Sequence, residues 1–113
     1  MADTNELHPR LNILDLCGPN YLSIADGKKV HKLILNQWGM SASVEVNLTG
    51  AAVSRAFLYE AVGQLVMQFE KADIAAKLKV TGLSPQDKLV LNSVVVSRYH
   101  ARGKARRDLK RPG

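Results

Sequence analysis

The chain has little of several things that would narrow its chemistry. Cys17 is its single cysteine, which excludes an internal disulfide and any cysteine-rich metal site. A lone thiol of this kind is ordinarily a small buried apolar residue in a reducing compartment, so the cytoplasm is the expected location. Aromatic residues make up only 5% of the sequence against 46% hydrophobic, so the core has to be built from Leu, Val, Ile and Ala. No apolar run approaches the ~18 residues needed to span a bilayer. The opening MADTNELHPR has neither a basic region nor an apolar one, so a secretory signal and membrane association are not expected. No Ser/His/Asp set, paired carboxylates or phosphate-binding glycine loop is present. His8, His31 and His100 lie far apart without metal-ligand spacing, and His31 reads as solvent-facing. The sequence therefore offers no catalytic residue, metal site or cofactor, and a non-enzymatic protein is the expectation.

Charge is present, but unevenly. The net charge of +6 resides in Arg98, Arg102, Lys104, Arg106, Arg107, Lys110 and Arg111, opposed by Asp108 alone; residues 1–97 are neutral overall. This suggests a neutral domain over 1–97, with its core from about 11 to 97, and a basic tail over 98–113. A terminus of this composition reads either as a solvated, disordered segment or as an electrostatic contact for nucleic acid or an acidic protein surface. In the second case, affinity would be salt-dependent and indifferent to sequence. Extension of the preceding helix would set Arg98, Arg102 and Arg106 on one face, although Gly103 weighs against a long extension.

The body alternates between two periodicities. Leu11–Leu16 is a short apolar run closed by Gly18-Pro19-Asn20, a strand expectation near the sheet edge. Ser23 and Asp26 form a capping pair for a helix from about Ile24 to Trp38. Ser43–Leu48 alternates as a half-buried strand, and Thr49-Gly50-Ala51-Ala52 is a turn. From Ser54 onward, Phe57, Leu58, Ala61, Val62, Leu65, Val66 and Phe69 recur at helical spacing, the clearest helix in the chain. Ala76–Thr81 alternates as a third strand. Ser84-Pro85-Gln86-Asp87 then opens a last helix, expected to run to about Ser97. The order β-α-β-α-β-α predicts an α/β domain with a mixed or parallel sheet and helices packed against it. Three strands leave edges that must be covered or paired, and a homo-oligomer is one way to do so.

The stretch VEVNLTGAAVSRAFLYEAVGQLV, followed by LKVTGLSPQDKLVLNSVV, resembles the STAS-like domain family, relatives of the anti-sigma-factor antagonists. Leu11–Trp38 fits that family's leading strand and helix. The resemblance implies a small STAS-like fold and a regulatory role exerted through protein–protein contact. It also implies a signalling partner such as a histidine-kinase-like ATPase. The contact residues it points to are Thr49, Ser54, Arg55 and Tyr59, on the exposed side of the central helix and the loop beside it.

In the antagonists themselves, the turn before this helix carries Asp-Ser-Ser-Gly, whose second Ser is phosphorylated by the partner kinase. Here the chain reads Val53-Ser54-Arg55-Ala56-Phe57. Alignment on the apolar residues puts the phosphorylated position at Ala56, while a slip in that alignment makes Ser54 the candidate phosphoacceptor. The strand-end Asp is replaced by Asn47. Ser54 also has a structural reading as an N-cap worth about 1 kcal/mol. A phosphate there would be tolerated by the helix dipole and within reach of Arg55. The competing expectation is a small nucleic-acid-binding or antitoxin-like protein that acts through its basic tail.

Overall fold

The computed structural model describes residues 8–110, with side chains described through residue 104. Arg111 and the first seven residues of the lead-in lie outside the described residues. Three strands form one parallel sheet in the order β1-β2-β3: β1 Arg10–Asn12, β2 Val44–Asn47 and β3 Leu78–Thr81. The five helices are α1 Ile13–Cys17, α2 Ile24–Trp38, the central α3, α4 Lys71–Lys77 and α5 Pro85–Lys110. Helix α3 runs through Arg55–Leu58, a π turn over Tyr59–Gly63, and Gln64–Gln68. The sheet is thus the parallel one of the two expected forms.

The strands are aligned so that like residues form rows. Leu11, Val46 and Val80 are register partners, and so are Asn12, Asn47 and Thr81. The apolar row, with Val44 and Leu78, packs into the core. The other row is polar and open or half-open to solvent. There Arg10 Nε lies 3.2 Å from Glu45 Oε2, Thr81 Oγ1 donates to Glu45 at 2.8 Å, and Asn47 Nδ2 donates to Asn12 Oδ1 at 3.0 Å. Strand alternation therefore sends the helices to one side of the sheet.

Helix α2 begins as the capping pair predicts. Asp26 N donates to Ser23 Oγ at 3.2 Å, and the Asp26 carboxylate accepts from Ser23 N at 2.9 Å. Gly27 is buried in the first turn of α2. A Cβ at Gly27 would sit 2.7 Å from Glu60 Cβ and 2.8 Å from the Phe57 carbonyl, so only glycine lets α2 approach α3 this closely. On the other flank, Gly63 faces Val94 and Arg98 of α5. The central helix is clamped between two neighbours at its π turn, and Phe57, Leu58, Ala61, Val62 and Leu65 fill the core from it. Full burial of each larger side chain contributes about 1.5–3 kcal/mol.

Four expectations need correction. The leading strand is only Arg10–Asn12, and from Ile13 to Cys17 the run is helical, ended by Gly18 at φ 87°. A short apolar run carries no periodicity that separates a strand from a buried helix turn, and burial of Ile13 decides in favour of the helix. The third strand starts at Leu78, because 71–77 is a helix that the alternation reading overlooked. Helix α4 buries no residue fully and is held by its end, where Lys77 donates to the Trp38 carbonyl and lies over the Trp38 ring, itself stacked on Phe69 at 4.7 Å. The last helix does not stop near Ser97 but continues to Lys110, so the division at 97/98 falls inside one continuous helix. His31 is half-buried rather than solvent-facing, with Nδ1 3.4 Å from the Ala61 carbonyl in the π turn.

Candidate functional site

The N-terminal end of α3 is fastened by one hydroxyl. Ser54 is 7% exposed; its Oγ accepts from Phe57 N at 3.0 Å and donates to the Leu22 carbonyl at 2.7 Å. The first bond is the N-cap. The second ties the helix to the loop before α2, which is also joined to Ala52 by Leu22 N at 2.9 Å. The Ser54 hydroxyl is therefore spent twice, once as acceptor and once as donor. Phosphorylation would have to expose it and break the Leu22 bond, so this geometry favours the capping role. Ala56, the position that alignment assigns to the phosphorylated residue, is exposed and has no hydroxyl.

Above the cap lies a groove of about 520 Å³ lined by Ile24, Arg55, Ala56, Tyr59 and Glu60. The lining is mostly apolar, and Ile24 is 52% exposed although it opens α2. One wall is held from α5: Arg55 Nη1 donates to Ser93 Oγ at 3.2 Å, and the Arg98 guanidinium lies 4.8 Å from the centre of the Tyr59 ring. Stacking of a cation on a half-buried ring fixes both and contributes about 0.5–2 kcal/mol. Arg98 thus backs the Tyr59 ring, while Arg55 lines the same groove. The π turn begins at Tyr59 itself, and π turns within α-helices occur often at functional sites.

The four contact residues expected from sequence are thereby separated. Arg55 and Tyr59 line the groove, Ser54 lies buried at the cap, and Thr49 is elsewhere. Thr49 sits past the end of β2, where its N and Oγ1 both donate to Asn47 Oδ1, at 3.1 and 2.7 Å. It packs so closely against Gly82, at φ 78°, that a Cβ there would fall 2.3 Å from Thr49 N. Ile24 and Glu60 were missed, and Arg98 was assigned to the tail rather than to this site. Ile24 looked like a core position by spacing, and nothing local in the sequence joins Arg98 to Tyr59, 39 positions away.

Of the seven basic residues assigned to the tail, two belong to the body. Arg102 Nη1 donates to the carbonyls of Val66 at 2.9 Å and Phe69 at 2.6 Å, and its Nη2 pairs with Glu70 at 2.7 Å. It caps the C-terminal end of α3. Arg98 stacks on Tyr59 as described. Lys104 is exposed, and Arg106, Arg107 and Lys110 follow on the same helix.

Burial, with Asp26 beside it, pushes the Cys17 thiol up, so it is not an activated nucleophile. Among the described residues no group of His, Cys, Asp and Glu is placed to hold a metal ion, and no helix is long and apolar enough to cross a membrane.

A three-stranded parallel sheet with helices on its apolar side, and a capped central helix between two others, defines a small α/β domain of the STAS-like kind. Residues 26–88 match the model of the STAS-like domain of unknown function (DUF4325), more than half of the chain, and the chain belongs to that family. No match was found among curated proteins or among solved structures.

Proposed function

We propose that this domain is a non-enzymatic regulatory module that binds a protein partner in the groove at the N-terminal end of α3. The carrying observation is the groove itself: an apolar floor of Ile24, Ala56 and Tyr59, with Arg55 and Glu60 for polar contacts. Such a mixture suits a protein surface better than a small charged substrate. By likeness to the anti-sigma-factor antagonists, the partner is a histidine-kinase-like ATPase or another signalling protein. In this reading the phosphoswitch is degenerate, with Ser54 serving as a permanent cap and Ala56 giving the partner a smooth contact. A second reading, nucleic-acid binding by the basic end of α5, is favoured by the exposed Lys104 on a helix that continues past the body; it concerns a different face.

Ala56→Arg fills the groove from an exposed helical position and leaves the core untouched. The expected result is loss of at least ten-fold in affinity for an ATPase partner, measured by calorimetry, with an unchanged thermal midpoint. Equal affinity in Ala56→Arg and Tyr59→Ala would rule out the groove. Intact-mass analysis after incubation with that ATPase and ATP should show no phosphate on Ser54, and a stoichiometric addition there would restore the switch.

A further inference from the structure

Helix α5 divides its cations by what they touch. Its packing face is Leu91, Val94, Val95, Arg98 and Arg102, and on that face the two arginines are occupied by a ring and by carbonyls. At 3.6 residues per turn, positions 100, 104, 107 and 110 recur on the opposite side. His100 and Lys104 are exposed, as that spacing requires. Arg102 is the last side chain of α5 with a described bond to the body, and 103–110 continue the helix for about two turns, roughly 12 Å. Residues 1–97 are electrically neutral, and α5 carries a net charge of +5 of the protein's +6.

A second element borders the same region. Lys71, the exposed first residue of α4, places Nζ 5.8 Å from the Tyr99 ring. Lys71, Val96, Tyr99, His100 and Gly103 line a shallow depression of about 450 Å³. A Cβ added at Gly103 would meet nothing within 4 Å, so the helix surface there is open. Burial pushes the Tyr99 phenol up. The depression thus has a cation and an imidazole at its rim and an aromatic ring in its wall, next to the basic end of the helix.

Resting on the second reading above, we propose that the outer face of α5 from His100 onward, together with Lys71, docks the phosphate backbone of nucleic acid. Lys71, Lys104, Arg107 and Lys110 supply the charge, and Arg98 and Arg102 take no part. A lipid surface is disfavoured because from Arg98 to Lys110 the only apolar residues are Tyr99, Ala101, Ala105 and Leu109, too few and too small for an interfacial helix. The shape also suits nucleic acid: a helix is about 10–12 Å across and the B-DNA major groove about 12 Å wide. Recognition is of phosphate and carries no base preference.

The test uses the full chain and fluorescently labelled DNA of arbitrary sequence, duplex and single-stranded, followed by anisotropy. With four phosphates neutralised, affinity for duplex should fall about a hundred-fold between 50 and 200 mM salt. The triple variant Lys104→Glu, Arg107→Glu, Lys110→Glu should lose binding at both salt concentrations while keeping the wild-type thermal midpoint. Arg102→Lys should lower the midpoint and leave the salt slope unchanged. Absence of binding at 50 mM salt, a salt-insensitive affinity, or wild-type binding by the triple variant would overturn the proposal. So would equally tight binding to phosphatidylserine vesicles, since that would point to a lipid headgroup.

Discussion

The two ends of the central helix solve the same problem in different ways. At the N-terminal end the unpaired N–H of Phe57 is satisfied by Ser54, three residues away. At the C-terminal end the unpaired carbonyls of Val66 and Phe69 are satisfied by Arg102, more than thirty residues further on and carried by another helix. Every helix leaves such groups orphaned at both ends. One solution is local and needs only a hydroxyl in the right place. The other exists only once α5 has docked, so formation of the end of α3 is tied to formation of the whole domain.

That contrast can be tested directly. Arg102→Ala removes charge-assisted bonds to two carbonyls and should cost about 2–3 kcal/mol, seen as a fall of roughly 10 °C in the thermal midpoint. Most of this loss comes from the carbonyls, because Glu70 is 64% exposed and its ion pair is worth little; Glu70→Ala should change the midpoint by no more than about 2 °C. Ser54→Ala loses the cap and leaves the Leu22 carbonyl unpaired, for about 1–2 kcal/mol. The two sites are separated by about 20 Å of helix, so the double variant should show the sum of the single losses within about 0.5 kcal/mol. A larger deviation would mean that the π turn between them transmits strain.

The smallest effect belongs to the neighbouring cap at α2. Hydrogen bonds from the Ser23 backbone and then its hydroxyl hold the Asp26 carboxyl below its ordinary range. A carboxylate with a depressed folded-state pKa adds stability above its unfolded pKa, and that stability is lost as pH falls through the folded value. Asp26→Asn should therefore lower the midpoint slightly at neutral pH, with the gap to wild type closing in acid. A gap that persists below the carboxylate range would assign the effect to hydrogen-bond geometry rather than charge.

The same contrast explains what could be read from the residues alone. Ser23 with Asp26, Ser54 with Phe57, and Ser84 with Asp87, whose N lies 3.1 Å from Ser84 Oγ, are all three-residue relations, and each helix start was legible. The buried positions of α3 were legible too, because one helix face repeats every three to four residues. Features that depend on distant partners were hidden. Helix α4 has one sizeable apolar residue, Ile74, and is held by Lys77 reaching Trp38, so it leaves no periodic trace. The reach of α5 past Ser97 is supported by Arg98 and Arg102, which looked like surface charge because their acceptors are a ring and two carbonyls rather than acids. Of the groove's lining, Arg55 and Tyr59 were among the residues the resemblance pointed to. Ile24 and Glu60 required knowing that Gly27 brings α2 against α3.

Helix α5 carries both the clamp on the central helix and the basic end of the chain, and this couples folding to charge. Cutting the chain before Arg98 would remove the cap of α3 along with the basic end, so the shortened chain would report on unfolding rather than on electrostatics. The converse is a thermodynamic link. A polyanion that binds this end of α5 only in the folded state would, at a hundred times its dissociation constant, raise the stability of the domain by about 2.7 kcal/mol. The groove above Ser54 is built on that same helix through Arg55 and Arg98, so a ligand at the far end of α5 would also firm the wall against which a protein partner docks.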